Sequence, residues 1–301
     1  MMISDIYLFA RIRRLIRSAA LLLPALLTAA CDEVAEPAMP EETPIVAEGW
    51  IENGATPVVI VTRAVDLTQD APSMDNFVEK WCRVSIFDND VQYLLTGTIN
   101  NAYTPPFIYT SSRLKGRAGH TYRLMIETDT DTIMSQPLTL PDPPAIASLT
   151  AEIADSIPEP SYTLRLKLKN PDPEGYYKIY GQSLGIDSRY YPTFMGTFAG
   201  RDYDPEKGLM VSRGIHSGYA ADSISHFYAG GERVMIKVAR IELDVFDFWQ
   251  AYDANVSLSG NLLFPATVNC PSNLSNLNPH LPSPLGYWSP QAISESAIRI
   301  P

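Results

Sequence analysis

The sequence contains few cysteines, histidines and basic residues. Its 3 cysteines and 4 histidines show no zinc-ligand spacing, so we expect neither a metal nor another cofactor. Its 23 basic residues are outnumbered by 34 acidic ones, which gives a net charge of −11. That balance argues against a nucleic-acid partner, whose phosphates need a basic face, and against electrostatic docking on anionic lipid.

Long apolar runs are also missing. The run nearest the N-terminus, Ser18–Ala30, has thirteen residues, whereas a helix needs about 20 apolar residues to cross a bilayer. It follows four arginines and ends in Thr28-Ala29-Ala30-Cys31, a pattern typical of a cleaved export signal. This four-residue segment resembles the bacterial lipobox, so we expect residues 1–30 to be removed and Cys31 to carry lipid. An ordinary secretory signal beside a chance cysteine is the alternative.

The segment after Cys31 has the composition of a tether. Asp32–Pro44 contains five acidic residues and three prolines, so it cannot bury apolar surface and forms a semi-stiff spacer. We therefore interpret residues 31–44 as an acidic, proline-rich tether held by outer-membrane lipid. Acidic residues directly after Cys31 are similar to the surface-export signal of Bacteroidota lipoproteins, which favours the cell exterior. An aspartate at Asp32 can instead mark inner-membrane retention in other bacteria.

Only two further cysteines, Cys82 and Cys270, are available for a disulfide. An exported protein permits one, but the two lie far apart in the sequence. Cys82 stands in an apolar strand pattern, where a free cysteine behaves as a small core residue. Both interpretations stay open, because connectivity cannot be read from sequence.

Helical periodicity is scarce as well. The chain has 25 prolines and 17 glycines between short alternating apolar runs, which is the pattern of an all-β protein. Residues 45–140 are predicted to form an N-terminal β-sandwich of the immunoglobulin or transthyretin type. Its predicted strands are Ile45–Ile51, Val58–Thr62, Arg83–Phe87, Gln92–Thr96 and Tyr122–Glu127.

The proline-rich segment Pro141–Pro144 marks a predicted boundary, after which residues 145–301 should form a second β-rich domain with long loops. Its predicted strands are Ile146–Ile153, Thr163–Leu168, Tyr176–Leu184 and Val234–Leu243. The stretch between Asp187 and Gly231 is rich in Tyr, Gly and Asp, and we expect it to be an irregular loop.

One amphipathic helix is predicted after the last of these strands. Apolar residues recur there at helical spacing, and Asp244 is placed to cap the start. We expect the stripe to pack on a sheet; a stripe that faces a ligand is the alternative. Its members are Val245, Phe248, Trp249, Tyr252 and Val256.

Two local motifs have simple explanations. Gly181–Gly185 matches G-x-S-x-G, but the nucleophile elbow requires a following helix, and Gly185 and Pro192 oppose one. A serine esterase that uses Ser183 is therefore a remote alternative. Asp202–Gly208 carries three carboxylates without the spacing of a calcium loop, and we interpret it as a solvated acidic turn.

Several short segments occur in an order that resembles a known family. They are Val46–Ile51, Arg83–Asp88, Gly119–Leu124, Pro271–Leu274 and Leu285–Trp288. The pattern resembles the Bacteroidota outer-membrane lipoprotein family catalogued as domain of unknown function 4249. The resemblance implies a lipoprotein encoded beside TonB-dependent outer-membrane receptors, and it brings no catalytic residues.

We therefore expect a non-catalytic, lipid-anchored outer-membrane protein that captures a ligand for, or assists, a TonB-dependent β-barrel receptor. A cell-surface adhesin or scaffold is the alternative. The expected contact surfaces are the loops Asp187–Gly231 and Asn269–Pro284, which should be exposed. The candidate contact residues are Tyr190, Tyr191, Tyr203, Tyr219, Asn273, Asn276, Tyr287 and Trp288.

Overall fold

The computed structural model describes residues 43–64, 77–155, 160–214, 226–258 and 270–301. The predicted export signal, Cys31 and nearly all of the tether lie outside these residues. Residues 43–301 form one compact unit. The structure is 54% strand and 8% helical, which confirms the all-β prediction with one helix.

The described residues contain 18 strands and one α-helix. In chain order they are β1 (Ile45–Glu52), β2 (Val58–Arg63), β3 (Arg83–Asp88), β4 (Val91–Leu94), β5 (Thr96–Ile99), β6 (Phe107–Thr110), β7 (Thr121–Glu127), β8 (Thr132–Ser135), β9 (Leu138–Thr139), β10 (Ile146–Asp155), β11 (Ser161–Leu168), β12 (Tyr176–Ser183), β13 (Tyr191–Ala199), β14 (Leu209–Val211), β15 (Tyr228–Ala229), β16 (Arg233–Ile241), α1 (Leu243–Leu258), β17 (Leu274–Asn276) and β18 (Leu285–Arg299).

A central sheet of eight strands organises the molecule, in the order β13-β12-β16-β18-β1-β2-β6-β5. Strand β18 is the link between its two halves. Its first half runs parallel to β1, from Leu285 beside Val46 to Gln291 beside Glu52. Its second half, from Ala292 onward, runs antiparallel to β16. Strand β18 therefore joins the earlier and later described strands in one hydrogen-bonded layer.

Two smaller sheets cover one face of the central sheet. The six-stranded sheet contains β17-β8-β7-β3-β4 with β9, and the other contains β10-β11-β14 with β15. Side chains alternate along a strand, and β18 places Trp288 and Ala292 in the first core. The same face of β18 contributes Ile298, with Ile300 just beyond it, to the second core. Each small sheet thus closes its own hydrophobic core against the same face.

The opposite face of the central sheet is covered in part by α1. Val245, Phe248 and Trp249 of the helix pack against Ile241 and Tyr287 of the sheet, as the apolar stripe predicts. The helix begins at Leu243, so Asp244 lies inside its first turn and is not the capping residue. In the described part of the chain, no helix has the length and apolar character that a membrane crossing requires.

Each of the nine predicted strands overlaps an observed one. The prediction that Asp187–Gly231 is an irregular loop is wrong. It contains the nine-residue β13 as well as β14 and β15. Pro192 and Gly196 interrupt the sequence pattern of β13, yet this strand lies at the edge of the central sheet, where an interrupted ladder is tolerated.

The predicted boundary at Pro141–Pro144 lies between the two cores in the sequence, but two strands that follow it pair with strands that precede it. β17 pairs with β8, and β18 pairs with β1, so the sandwich predicted for residues 45–140 contains two strands from beyond residue 270.

Cys82 and Cys270 are both free. Cys82 packs partly buried against the first core, and burial raises the pKa of its thiol to about 11.

Candidate ligand-binding site

A large cavity opens on the face of the central sheet that carries α1. Its volume is about 1030 Å³, at the upper end of the roughly 300–1,000 Å³ of typical small-molecule sites. Glu48 and Trp50 of β1 line it, because alternation along the strand turns them away from the core residues Ile45, Ala47 and Ile51. The strands β12, β16 and β18 complete the floor.

The walls of the cavity come from separate parts of the chain. Helix α1 supplies Phe248, Trp249 and Tyr252, and the segment Arg189–Phe194 leads into β13 on another side. Tyr103 lies in the connection between β5 and β6. No single stretch of sequence therefore contains the site.

Five aromatic rings at the helix side pack on one another, and we call them the aromatic cluster: Tyr180, Phe248, Trp249, Tyr252 and Tyr287. The ring centroid of Trp249 lies 5.5 Å from that of Tyr287 and 5.3 Å from that of Tyr252. Burial raises the pKa of Tyr180 and Tyr287 well above the ordinary value, so both hydroxyls stay neutral. The cluster is a rigid apolar wall suited to stacking against a ligand.

One polar group on the cavity floor is satisfied within the protein. A carboxylate oxygen of Glu52 accepts hydrogen bonds from Lys237 Nζ at 2.7 Å and from Gln291 Nε2 at 2.9 Å. The Lys237 ammonium also lies 4.4 Å from the ring centroid of Tyr190. The charges of Glu52 and Lys237 therefore balance each other without a ligand.

Two other charged groups at the cavity lack such partners. Among the described residues, Glu48 has no hydrogen bond and no ion pair. Its side chain is exposed to the cavity; desolvation by the surrounding protein raises the pKa of its carboxyl, and the charge of Arg189 partly opposes that rise. Arg189 lies over the rings of Tyr103 and Tyr191, at 5.0 and 4.8 Å. Its Nε is buried without a hydrogen-bond partner.

A buried network beneath the cavity fixes α1 to the sheet. Lys178 on β12 is fully buried, and its Nζ lies 2.9 Å from Thr197 Oγ1 and 3.2 Å from an oxygen of Asp253. The ammonium is 4.5 Å from the ring centroid of Trp249. Burial lowers the pKa of Lys178 to about 8, against the opposing effect of Asp253. Because Lys178 is inaccessible, we assign it to positioning the helix and Trp249.

A comparison with known protein families shows which family this chain belongs to. The family model described as Domain of unknown function (DUF4249) matches residues 32–288. The chain belongs to this family. The match includes β1 and α1, and therefore both the floor and the aromatic wall of the cavity. A search of curated proteins found no match.

In this DUF4249 protein, three of the predicted contact residues meet at the cavity: Tyr190, Tyr191 and Tyr287. Trp288, which was also predicted as a contact residue, alternates with Tyr287 and is fully buried in the first core, so it does not line the cavity. Asn273 is also buried. It donates to the carbonyl oxygen of Trp288 at 2.8 Å and accepts from the amide of Trp288 at 2.9 Å, and so it anchors β18.

The remaining predicted contact residues lie elsewhere. Asn276 donates to a carboxylate oxygen of Asp131 at 2.7 Å, beside the pairing of β17 with β8. Tyr203 packs against the second core, and its hydroxyl accepts from the amide of Leu168 at 2.8 Å. Tyr219 is outside the described residues. Asn276 and Tyr203 therefore hold the DUF4249 fold together rather than lining the cavity.

The geometry at Ser183 is not that of a nucleophile elbow. Ser183 ends β12, a turn and then β13 follow it, and its side chain is buried. Its Oγ accepts from Arg213 Nη1 at 2.8 Å and donates to Glu232 at 3.1 Å. A nucleophile elbow needs an exposed serine before a helix, whereas Ser183 belongs to a buried polar cluster with Arg213 and Glu232.

The acidic segment Asp202–Gly208 is a turn stabilised by its own backbone. A carboxylate oxygen of Asp204 accepts from the amides of Glu206 at 2.9 Å and Lys207 at 3.2 Å. Within the described ranges, no group of three or more His, Cys, Asp or Glu side chains is placed to hold a metal ion.

Sequence reasoning missed the charged residues of the site: Glu48, Glu52, Arg189 and Lys237. A usable signal for Glu48 and Glu52 was present, because they alternate with core residues along β1 and so define a polar face. Nothing local identifies Arg189 or Lys237, since their role depends on elements that meet only in the folded protein.

Proposed function

We propose that this protein is a lipid-anchored, outer-membrane binding protein that captures a small ligand for a TonB-dependent β-barrel receptor and performs no catalysis itself. The observation that carries the proposal is the cavity of about 1030 Å³ with its rigid aromatic wall. A large concave site with apolar walls and a few convergent polar groups is the usual form of a ligand pocket.

The polar groups at this cavity suit binding. The carboxylate of Glu52 is occupied by Lys237 and Gln291. Lys178, the lysine with the lowered pKa, is shielded from the cavity. Among the described cavity residues, what remains is an aromatic surface with two charges that lack hydrogen-bonded partners, an arrangement suited to orienting a ligand.

The anchor and the partner are supported by the sequence. The export signal and Cys31 favour a lipoprotein, and the tether of residues 31–44 leads directly into β1, which carries Glu48. Membership of DUF4249, with the association that the resemblance implies, favours a TonB-dependent receptor as the partner.

Intact-mass measurement of protein isolated from its native membrane tests the anchor. We expect a chain that begins at Cys31 and carries acyl mass, and we expect the Cys31→Ala variant to leave the membrane fraction. A native chain without acyl mass, or one that keeps residues 1–30, would contradict the anchor.

Affinity purification of the tagged protein from outer membranes in mild detergent tests the partner. We expect a large β-barrel protein to be recovered with it. An adhesin or scaffold would instead be recovered alone in several mild detergents, and its deletion would leave growth on varied nutrients unchanged.

Native mass spectrometry of protein released under mild conditions tests the cavity. We expect a bound small molecule that disappears when Thr56→Trp places an indole in the cavity. Thr98→Trp makes the same change at an exposed position on β5 and should retain the ligand. Equal occupancy in both variants would place binding outside the cavity.

A further inference from the structure

The cavity carries two opposite charges that the described part of the fold leaves without hydrogen-bonded partners. We infer that it selects a short apolar peptide with free termini, whose ammonium group lies beside Glu48 and whose carboxylate lies on Arg189. This inference rests on the proposed function and names the chemical class of the captured ligand.

The environment of Glu48 suits a cation. Glu48 lies opposite Tyr287 in the pairing of β1 with β18, and it lines the cavity together with Tyr180 and Tyr252, so its carboxylate shares the cavity with three rings of the aromatic cluster. A ligand ammonium at this position would gain an ion pair with Glu48 and the electrostatic attraction of the ring faces. A carboxylate beside aromatic rings is therefore a subsite for a positively charged group.

The environment of Arg189 suits an anion. The guanidinium lies over Tyr103 and Tyr191, so its orientation is fixed before a ligand binds. Its Nε has no acceptor, and no described residue forms an ion pair with it. A planar guanidinium recognises a carboxylate through parallel hydrogen bonds, and because Nε of Arg189 is buried, its two terminal nitrogens are the donors for a carboxylate in the cavity.

The two charges do not neutralise each other directly. Among the described residues Glu48 and Arg189 form no ion pair, yet Arg189 still lowers the pKa of Glu48. A peptide extends by about 3.3–3.6 Å per residue, so a dipeptide or tripeptide carries its two charged termini at opposite ends of a chain short enough for a cavity of about 1030 Å³. A neutral ligand would leave both charges partly desolvated and uncompensated, which is costly.

The neighbouring ion pair does not compete for these roles. Lys237 and Glu52 already bind each other at 2.7 Å, and Gln291 donates to the same carboxylate oxygen. The apolar side chains of a peptide have the rings of the aromatic cluster as their contact surface.

Isothermal titration calorimetry on the mature protein tests this selection with five probes. Four are leucyl-phenylalanine with free termini, its N-acetyl form, its C-terminal amide and the doubly blocked form, and the fifth is maltotriose. We expect the free dipeptide to bind roughly tenfold tighter than either singly blocked form, because each block removes one charged partner.

Two variants assign each terminus to its residue. Glu48→Gln should abolish the preference for the free ammonium and keep the preference for the free carboxylate, and Arg189→Gln should do the reverse. Glu174→Gln and Arg201→Gln remove the same charges at exposed positions outside the cavity and should retain both preferences. Near-UV circular dichroism checks folding, and Arg189→Lys provides a second variant that keeps the charge without the planar fork.

Three results would overturn the inference. They are binding of a blocked peptide as tight as that of the free dipeptide, tighter binding of maltotriose, and no binding by any of the five probes. Loss of the reciprocal pattern in the two variants would also overturn it. The proposed function is judged separately by whether native protein carries a small molecule that Thr56→Trp removes, so the two failures are distinguishable.

Discussion

At the scale of single residues, Gly286 shows how closely β18 approaches β1. Its φ is +94°, and a Cβ atom placed there would lie 2.0 Å from the carbonyl oxygen of Ala47. We predict that Gly286→Ala lowers the free energy of unfolding by about 3 kcal/mol, because backbone strain and a steric clash act together. Urea-induced unfolding measures the loss.

The matched control for that prediction is Gly54→Ala. Gly54 also has a positive φ, +77°, but no atom lies within 4 Å of the added Cβ position. This variant should lose only about 1 kcal/mol from the strained backbone. Equal losses in the two variants would show that the approach of β18 to β1 is not the cause.

Lys178 makes stability depend on pH in a defined window. Burial lowers its pKa from 10.5 to about 8 in the folded protein, so between these values the unfolded chain binds more protons. The contribution of Lys178 to the free energy of unfolding should therefore rise with pH, by about 2 kcal/mol between pH 7.5 and 9.5. Below pH 8 the lysine is charged in both states, and the full cost of burying that charge is present.

Urea unfolding at pH 7.5 and 9.5 tests this dependence. Lys178→Met should remove most of the rise, whereas Lys169→Met, at an exposed position, should retain it. The Cys82 thiol, whose pKa burial raises to about 11, opposes this rise near pH 9.5, and the buried tyrosines oppose it at higher pH, so the difference between the wild type and Lys178→Met measures the contribution of the lysine. An unchanged rise in Lys178→Met would refute the assignment.

At the scale of the element, α1 is held to the sheet by its apolar stripe. Val245 is fully buried among Ile241 and neighbouring core residues. We predict that Val245→Ala lowers the free energy of unfolding by about 2 kcal/mol, through lost burial and a residual cavity. Asp247→Ala, on the exposed side of the helix, should change it by less than about 0.5 kcal/mol. Similar effects in both variants would contradict the packing described for this helix.

Strands with regular alternation were predictable from sequence, and strands with interruptions were not. Leu164, Leu166 and Leu168 of β11 alternate with charged residues and were assigned correctly. Strand β18 contains Pro290 and several polar residues, so its local pattern is weak. Its parallel pairing with β1 joins residues from opposite ends of the described chain, and no local rule specifies such a partner.

The cavity was predictable only in part, for the same reason. The sequence of β1 shows that Glu48 and Trp50 share the face opposite the core. It does not show that α1 and the segment containing Arg189 close over that face. The aromatic stripe of α1 was recognised, and Trp249 packs on the sheet as predicted. Trp249 also lines the cavity, and the alternative that the stripe faces a ligand stays a prediction.

At the scale of the whole molecule, the first core depends on the C-terminal strands. Trp288 is fully buried in it, and residues 45–140 lack both β17 and β18. We predict that residues 45–140 alone do not unfold cooperatively, whereas residues 43–301 unfold in a single transition. Thermal circular dichroism on both polypeptides measures this. A cooperative transition in the shorter one would establish an independent N-terminal domain.

The position of β18 in the chain also determines when folding can finish. Synthesis proceeds from the N-terminus, so this strand leaves the ribosome after every other strand described here. Neither core is complete until it arrives, and pairings between such distant segments form slowly. For a chain exported as proposed, this delay keeps the nascent polypeptide loose enough to pass through a translocation channel until its final strand has been made.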